Sequence, residues 1–304
     1  MSDDENIVIL KDVKKDYVNK GRKEVVAALR GLSMQIKRGS MVAIKGPSGS
    51  GKTTLLQIIG ALDLPTSGMV DVNGKDISKM NEQDLTEYRA KTIGFVFQTF
   101  NLIPNLTALE NVELPMEALN VPKEKRRKRA IRLLTAVGMA KRVDYRPSRL
   151  SGGEAQRTAI ARALANKPSI ILADEPTGNL DSGTGATIIS LLEKLNTERG
   201  TTVIIVTHSD NIAKMCSRTY TIKDGRISSE VDTKKEAEIV KMKIKFSASD
   251  KIMNKLITAG YDSVEAIGKA SIEELTQVLG DANKAKRIAK KAALLKELDE
   301  EKVE

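Results

Sequence analysis

A glycine-rich turn between an apolar run and a helical run constrains the fold of this chain more than any other feature. The apolar run is Met41–Lys45, and the turn that follows reads Gly46-Pro47-Ser48-Gly49-Ser50-Gly51-Lys52-Thr53. Glycines allow backbone N–H groups to point inward around a phosphate, and the start of the next helix adds a positive dipole. Lys52 supplies a charge for the phosphates, and the Thr53 hydroxyl is a ligand for Mg²⁺. The pattern predicts a phosphate-binding loop in an α/β fold.

A second feature is a pair of carboxylates at the end of another apolar run. Ile170–Ala173 reads as a buried strand, and Asp174 and Glu175 follow it directly. Asp174 is placed to hold Mg²⁺ through water, and Glu175 to orient or deprotonate an attacking water. Phosphoryl transfer requires little beyond positioned water, metal and fixed charge. Two acids at a strand end indicate little alone, but together with the phosphate loop they predict nucleotide hydrolysis.

The segment Leu150-Ser151-Gly152-Gly153-Glu154 opens another helix. Ser151 and the glycine N–H groups make a second anion-binding helix start. One nucleotide does not obviously need two such sites in one chain. We therefore expect the Ser151 segment to complete the nucleotide pocket of another copy.

At these residues the chain resembles the ABC ATPase family, from residue 1 to about residue 230. The resemblance includes Gln98 after a strand, Asn179-Leu180-Asp181 after Glu175, and His208, the chain's only histidine, after another strand. Glu154 stands where the family more often has Gln. The resemblance implies that two chains enclose two ATP molecules head to tail, each between one phosphate loop and the other chain's Ser151 segment.

The resemblance also assigns roles to individual residues. Glu175, His208 and Gln98 are expected to be catalytic, and Thr53, Gln98 and Asp174 to hold Mg²⁺. The residues expected to contact ATP are Tyr17, which would stack on adenine, Gly46, Pro47, Ser48, Gly49, Ser50, Gly51, Lys52, Thr53, Thr54, Ser151, Gly152, Gly153, Glu154 and Asp181.

Two further stretches resemble one branch of the family, the lipoprotein-release and macrolide-export transporters. They are Thr92–Pro115, which contains Gly94-Phe95-Val96-Phe97-Gln98, and Ala173–Asp181. The resemblance implies a groove beside Gln98 that receives a helix of a separate membrane permease. No apolar run reaches the roughly 18 residues that span a bilayer. We expect a cytoplasmic protein, peripheral on the inner face of the cell membrane, and the single cysteine, Cys216, agrees with a reducing compartment.

Strands alternate with helices through most of the chain, which predicts a mainly parallel α/β fold. We expect a nucleotide-binding domain of the phosphate-loop (RecA-like) class over residues 1–235. It would carry an N-terminal antiparallel β subdomain and a helical subdomain at about 99–166. A linker at 236–247, a small all-α domain at 248–298 and an acidic tail at 299–304 would follow.

The C-terminal stretch resembles a helix-hairpin-helix unit like that of the archaeal and eukaryotic RecA-like recombinases. The stretch is Leu256–Ile267 followed by Ser271–Leu279 and Gly280–Lys291. Its second hairpin, Gly280-Asp281-Ala282, lacks a second glycine, and a basic stripe follows it, made of Lys284, Lys286, Arg287, Lys290 and Lys291. Hairpin N–H groups and nearby cations grip phosphate backbones in DNA-binding members. Docking to a protein is the favoured expectation, and DNA binding is the alternative.

Charge leaves further alternatives open. The net charge is +10, and residues 236–304 hold 13 Lys/Arg and 13 Asp/Glu, so the excess lies in residues 1–235. The densest cluster, Lys123–Arg132, is either a solvated helix face or a contact for anionic headgroups or a partner. The main hypothesis is an ATP-driven transport subunit. The alternatives are a soluble ABC ATPase that acts on DNA and a regulatory module whose added domain binds a protein.

Overall fold

The computed structural model describes residues 5–19, 24–233, 242, 246 and 248–300. The chain divides into two compact units, Met1–Val231 and Asp232–Glu304. The boundary expected at residue 235 and most of the expected linker and acidic tail lie outside the described residues. Two residues assigned to the linker, Met242 and Phe246, are helical and fully buried in the second unit's core, because their large apolar side chains pack there. They are therefore not part of a linker.

The first unit contains a four-stranded antiparallel sheet and a six-stranded sheet. The first has the order β2-β1-β4-β5 and the second the order β10-β9-β3-β8-β7-β6. The strands are β1 (Asn6–Asn19), β2 (Glu24–Lys37), β3 (Met41–Lys45), β4 (Ser67–Val72), β5 (Lys75–Asp76), β6 (Ile93–Phe97), β7 (Ile170–Asp174), β8 (Thr202–Val206), β9 (Arg218–Lys223) and β10 (Arg226–Asp232). Strands β6, β7, β8, β3 and β9 run parallel. Asp224 and Gly225, both at positive φ, make the two-residue turn into β10.

Both faces of the six-stranded sheet are covered, so its central strands read as continuous apolar runs. Every residue of β8 is buried. Alternate residues of a strand point to opposite faces. Ile171 and Ala173 of β7 accordingly belong to one apolar cluster, whereas Ile170 and Leu172 belong to the other. The α/β architecture with an N-terminal antiparallel sheet is confirmed.

Seven α-helices of the first unit are described: α1 (Lys52–Ile59), α2 (Glu82–Thr92), α3 (Ala108–Glu117), α4 (Lys123–Ala136), α5 (Gly152–Ala163), α6 (Ser182–Arg199) and α7 (Asp210–Met215). Three of them, α3, α4 and α5, follow one another between β6 and β7. These three consecutive helices lie in the stretch of about 99–166, where the sequence predicts a helical subdomain. Thr107 and Glu110 form a capping box that fixes the start of α3.

The second unit consists, in its described part, of helices: α8 (Asp250–Thr258), α9 (Val264–Lys269), α10 (Ile272–Leu279) and α11 (Ala282–Glu300). Its own apolar core includes the fully buried Leu256, Leu275 and Ala285. Ser271 and Glu274 form a capping box that fixes the start of α10. Helix α11 continues through Asp299 and Glu300, which the sequence had assigned to a separate tail. Within the described residues, no helix is both long and apolar enough to cross a bilayer.

Candidate nucleotide site

The loop between β3 and α1 depends on glycine at three positions. Gly46, Gly49 and Gly51 have φ values of 154°, 75° and 101°. A Cβ atom on Gly46 would lie 2.1 Å from the Ile222 carbonyl oxygen, and one on Gly51 would lie 2.5 Å from the Ala28 carbonyl oxygen. A Cβ on Gly49 would meet nothing within 4 Å. Close approach of backbone therefore requires Gly46 and Gly51, whereas Gly49 lies at an open tip and supplies the left-handed φ.

Lys52 lies across this loop and is only 6% exposed. Its Nζ donates to the carbonyl oxygens of Gly46, at 2.9 Å, and Pro47, at 2.8 Å. Burial lowers the pKa of Lys52, against the opposing effect of Glu175 and Asp174. Ser50 is buried beside it, and its hydroxyl has no hydrogen-bond partner in the described part of the chain. A buried ammonium that has no ion-pair partner among the described residues and an unpaired hydroxyl both fit a site built for an anion.

Two carboxylates lie where β7 ends. Asp174 lies close to the Thr53 side chain. Burial raises the pKa of Asp174, and Glu175 raises it further, although Thr53 and Lys52 act in the opposite direction. Glu175 has a φ of 45°, an unfavourable conformation for a non-glycine residue, and its N–H donates to the Val206 carbonyl at 3.0 Å. The structure therefore brings Lys52, Thr53, Asp174 and Glu175 together.

His208 joins this group because β8 is the neighbour of β7 in the sheet. Its Nε2 lies 2.8 Å from Oε1 of Glu175, and its side chain is half exposed. The carboxyl ends of neighbouring parallel strands meet at one edge of a sheet. For that reason His208 and Glu175, which are 33 positions apart in the sequence, are in direct contact.

Gln98 follows β6 and has different neighbours. Its Nε2 is 3.4 Å from Oδ1 of Asn179, and Nδ2 of Asn179 donates to the Gln98 carbonyl at 3.0 Å. A Cβ on Gly178 would lie 2.7 Å from Gln98 Nε2, so glycine permits this packing. Among the described contacts, none joins the Gln98 amide to Thr53 or Asp174.

Tyr17 lies on β1 and contacts the first turn of α1 through Thr54. Its hydroxyl donates to Oδ2 of Asp63 at 2.8 Å, while Lys15 contacts Oδ1 of Asp63 at 2.5 Å and lies 5.0 Å from the Tyr17 ring centre. The ring is 40% exposed. Burial and the hydrogen bond to Asp63 raise the pKa of Tyr17, against the effect of Thr54. Asp63 and Lys15 thus orient this ring, and no sequence spacing pointed to them.

The Ser151 segment is hydrogen-bonded within itself. Ser151 Oγ accepts from the Glu154 N–H at 3.3 Å, and Glu154 Oε2 accepts from the Ser151 N–H at 2.9 Å. Arg142, which the sequence did not single out, donates from Nε to Oε1 of Glu154 at 2.9 Å. The Ser151 N–H and then Arg142 lower the pKa of Glu154. The start of α5 is therefore fixed without any ligand.

This segment also packs tightly against the start of α6. A Cβ on Gly152 would lie 3.1 Å from Leu180, and one on Gly153 would lie 2.6 Å from Thr184. The Asp181 side chain accepts from the N–H groups of Gly183 and Thr184 at 3.1 and 3.0 Å. One open cleft is lined by residues 138–139, 151–154, 157, 179–181 and 184. No residue of the phosphate loop lines it, so the two anion-binding helix starts do not share this cleft in one chain.

The oxygen donors at the phosphate loop fit Mg²⁺. Proteins commonly hold Mg²⁺ with one or two carboxylates, substrate phosphates and water rather than with a complete protein cage. Thr53 and Asp174, which lie close together, supply a hydroxyl and a carboxylate. Over the described residues, no group of three or more His, Cys, Asp or Glu side chains is arranged to hold a metal. The donor set is thus suited to a metal that arrives with a phosphate ligand.

Comparison with known proteins assigns the family. A family model described as ABC transporter matches residues 29–178. An uncharacterised ABC transporter ATP-binding protein of Thermotoga maritima is 53% identical over 202 residues, which are 66% of this chain and 86% of that protein. The chain belongs to the ABC transporter ATP-binding family. It is an ATPase that binds ATP, as the phosphate loop and the carboxylate pair predicted.

Two further relatives agree with the predicted branch. The ABC transporter ATP-binding protein MJ0796 of Methanocaldococcus jannaschii is 50% identical over 228 residues, 74% of this chain and 96% of that protein. A dimeric structure of MJ0796 in a post-hydrolysis state with ADP and Pi matches with a TM-score of 0.70 at 48% identity, over 74% of this chain and 98% of that one. The macrolide export ATP-binding/permease protein MacB of Brucella melitensis is 46% identical over 224 residues, 74% of this chain and 34% of that protein. The helix-hairpin-helix resemblance stays a prediction.

Proposed function

We propose that this ABC ATPase is a transport subunit that works as a homodimer around two ATP–Mg²⁺ and drives a separate membrane permease. One observation carries the dimer. The phosphate loop has its charged partners, Asp174 and Glu175, in its own chain, whereas the cleft beside Ser151 contains no residue of that loop. The relative MJ0796 has a dimeric structure in a post-hydrolysis state with ADP and Pi, which supports a dimer here as well.

Each chain would bind the triphosphate through the charge of Lys52 and through backbone N–H groups of the loop Gly46–Gly51 other than Pro47, which has no N–H. Thr53 and Asp174 would hold Mg²⁺, which neutralises phosphate charge when bound. Gln98 would join them only after its amide leaves Asn179, where it lies in this structure. Tyr17 would stack on adenine with Thr54 beside it, and Ser151–Glu154 and Asp181 of the second copy would close the pocket.

Glu175 would orient the attacking water and accept its proton. Its side chain contacts His208, which fixes the carboxylate and places an imidazole at the same edge of the sheet. The unusual φ of Glu175 turns the residue out of the strand direction. Positioning of this kind accounts for most of the catalysis in phosphoryl transfer, where little covalent chemistry falls to the protein.

A groove beside β6 supports the permease partner. It is lined by the β6 residues Phe95 and Phe97, by Asn101 and by Arg162. The two phenylalanine rings stack with centres 5.4 Å apart, and Arg162 donates to the Phe100 carbonyl at 2.8 Å, which fixes the loop after Gln98. An apolar groove joined to a nucleotide-sensing loop suits a docked helix. The relative MacB is described as a macrolide export ATP-binding/permease protein, which supports a permease as the partner here. We place the protein in the cytoplasm on the inner face of the cell membrane.

The shared site is tested by mixing two inactive proteins. Ser151→Arg blocks the second anion-binding helix start, and Lys52→Ala disables the phosphate loop. A mixed dimer then contains one composite site with an intact phosphate loop facing an intact Ser151, so some ATPase activity should return. The control is the double variant Ser151→Arg/Lys52→Ala, which leaves no intact composite site with either single variant. Absence of rescue at every mixing ratio would remove the dimer model.

The permease is tested by co-purification. The tagged Glu175→Gln protein, solubilised from native membranes with ATP, should retain a polytopic membrane protein, identified by mass spectrometry. ADP in place of ATP serves as the control. Recovery of nucleic-acid enzymes without a membrane protein would favour the DNA alternative.

We propose that the second unit docks a protein rather than DNA. Asp281 accepts from the N–H groups of Asn283 and Lys284 at 3.0 Å each, and the Gly280 N–H donates to the Thr276 carbonyl at 2.8 Å. These hairpin N–H groups are thus already used and are not available to a phosphate backbone. Lys284 also pairs with Asp281 at 3.0 Å, which weakens the basic stripe.

Removing the second unit should therefore leave basal ATPase activity within a few-fold of the full chain. The cut belongs after Thr233, because a cut at 247 would leave Met242 and Phe246 without their core. DNA binding is measured by fluorescence anisotropy with labelled duplex and the Glu175→Gln protein, with and without ATP. Binding at ~10⁻⁴–10⁻⁶ M, the non-specific range, or weaker is expected. Submicromolar, ATP-dependent binding would instead favour DNA.

A further inference from the structure

A basic cavity of about 630 Å³ lies beside α4, outside the nucleotide site. Six cations line it: Lys125, Lys128, Arg129, Arg132, Lys167 and Arg199. Its apolar lining includes Leu133 and Leu164, which are 6% and 3% exposed. No acidic residue lines it.

Three separate elements deliver these charges. Four of the cations, at positions 125, 128, 129 and 132, follow the i, i+3, i+4, i+7 spacing that places residues on one face of α4. Lys167 lies just before β7 with a φ of 55°, a conformation unfavourable for lysine. Arg199 is the last residue of α6. A solvated helix face explains charges on α4 alone, but it does not explain why two other elements add cations to the same cavity.

The positive charge of this cavity is uncompensated. None of the six cations is paired with a carboxylate among the described residues, although Arg126 on the same helix contacts Glu117 at 3.2 Å. Like charges four residues apart, as at 125/129 and 128/132, destabilise a helix. Burial lowers the pKa of the half-buried Arg129, and repulsion from Arg132 and Arg199 lowers it further. Arg129 is partly buried and the other five cations are exposed, so an anion bound among them would reduce their mutual repulsion.

The cavity lies at the other end of the parallel strands from the phosphate loop. Lys167 and Arg199 precede β7 and β8, whereas Asp174 and His208 lie at or after their ends. A five-residue strand spans roughly 15 Å, which separates the two groups. A ligand here would not belong to the ATP site.

We propose that this cavity binds a ligand carrying two or more phosphate groups. Three arginines can each form paired hydrogen bonds to phosphate oxygens, and the lysines add point charges. The apolar lining would accept the carbon part of an organic phosphate. Soluble polyphosphates and the headgroup of a diphosphate phospholipid share this chemistry. The proposal is independent of the transport function, because no residue of the cavity takes part in ATP binding.

Two double variants with equal charge change test the cavity. Arg132→Glu/Arg199→Glu reverses two cavity charges, and Lys123→Glu/Arg127→Glu reverses two exposed charges on α4 that do not line it. Both are made in the Lys52→Ala background, which removes the phosphate loop as a competing site. Binding of inorganic tripolyphosphate is measured by calorimetry without Mg²⁺, and binding to phosphatidylcholine vesicles with and without cardiolipin by sedimentation. A 16-base-pair DNA duplex is the third probe.

The cavity variant should lose at least ~10-fold in affinity for tripolyphosphate or for cardiolipin vesicles, while the control variant changes by less than about threefold. Loss confined to tripolyphosphate identifies a soluble ligand, and loss confined to vesicles identifies a lipid. Arg129→Gln should raise the melting temperature of the ligand-free protein at low salt, because it removes a repelled charge. Equal losses in both double variants, or cavity-dependent binding of the duplex alone, would overturn the proposal.

Discussion

The two anion-binding helix starts of this protein differ in how their polar groups are satisfied. At the start of α1, Lys52 is buried without an ion-pair partner in the described chain, and the Ser50 hydroxyl is unpaired. At the start of α5, Ser151 and Glu154 satisfy each other, and Arg142 binds the free oxygen of Glu154. Both places have a glycine-rich turn that leads into a helix. At the start of α1 these two groups lack such partners among the described residues, whereas the polar side chains at the start of α5 have theirs.

The pKa shifts of the charged side chains at the two helix starts reflect this difference in partners. Burial and Glu175 raise the pKa of Asp174, and burial lowers that of Lys52, so both groups are held where their charged forms are disfavoured. The pKa of Glu154 is lowered, because its partners favour the carboxylate. Binding of phosphate and metal would relieve the first site, whereas the second needs nothing to hold its shape. In the dimer that we propose, the site that performs the chemistry keeps unsatisfied charge, whereas the Ser151 segment already has its own hydrogen bonds formed.

The largest effect should come from Glu175→Gln. The amide keeps the shape and loses the charge that activates water, so the hydrolysis rate should fall by about 10²–10⁴-fold while ATP still binds. ATP, but not ADP, should double the mass measured by light scattering. The variant also removes the charge that raises the pKa of Asp174, so Mg²⁺ binding should persist to lower pH. A monomer with ATP, or hydrolysis at the wild-type rate, would contradict the roles assigned here.

Lys52→Ala comes next. Loss of the buried ammonium should weaken ATP binding by about 100-fold or more in calorimetry, because charge-assisted contacts to phosphate are lost. The matched control is Lys45→Ala, which removes an equal charge just before the loop from a lysine paired with Asp210. If both variants lose affinity equally, general positive charge rather than the incomplete helix start would be responsible.

The smallest effect should come from Arg142→Ala, on the satisfied side of the comparison. Its contact with Glu154 is partly exposed, and such pairs contribute little, so kcat/KM should fall by about twofold to fivefold. Arg149→Ala is the control, because Arg142 and Arg149 lie 4.7 and 4.8 Å from the same Tyr145 ring but only Arg142 contacts Glu154. A loss as large as that of Lys52→Ala would show that the start of α5 is not rigid on its own.

Several features of the fold were predictable because local sequence determines them. The phosphate loop, the apolar strands β3, β7 and β8 and the capping box at Ser271 each depend on neighbours in sequence. Helix α2 was not predicted, since Leu85 and Tyr88 are its only buried residues and leave a weak apolar pattern. Met242 and Phe246 were assigned to a linker because the surrounding run is charged, and their burial depends on helices further along the chain.

The sequence by itself determined which chemistry this protein carries: the glycines, Lys52, Thr53 and the Asp174–Glu175 pair follow one another at fixed spacings. Only the tertiary structure decided how that chemistry is oriented. Asp63 positions Tyr17 from 46 residues away, and His208 reaches Glu175 because β7 and β8 are neighbours in the sheet. Lys167 and Arg199 likewise join the basic face of α4. Contacts of this kind depend on strand order and helix packing, which bring distant residues together and leave no periodic pattern in the chain.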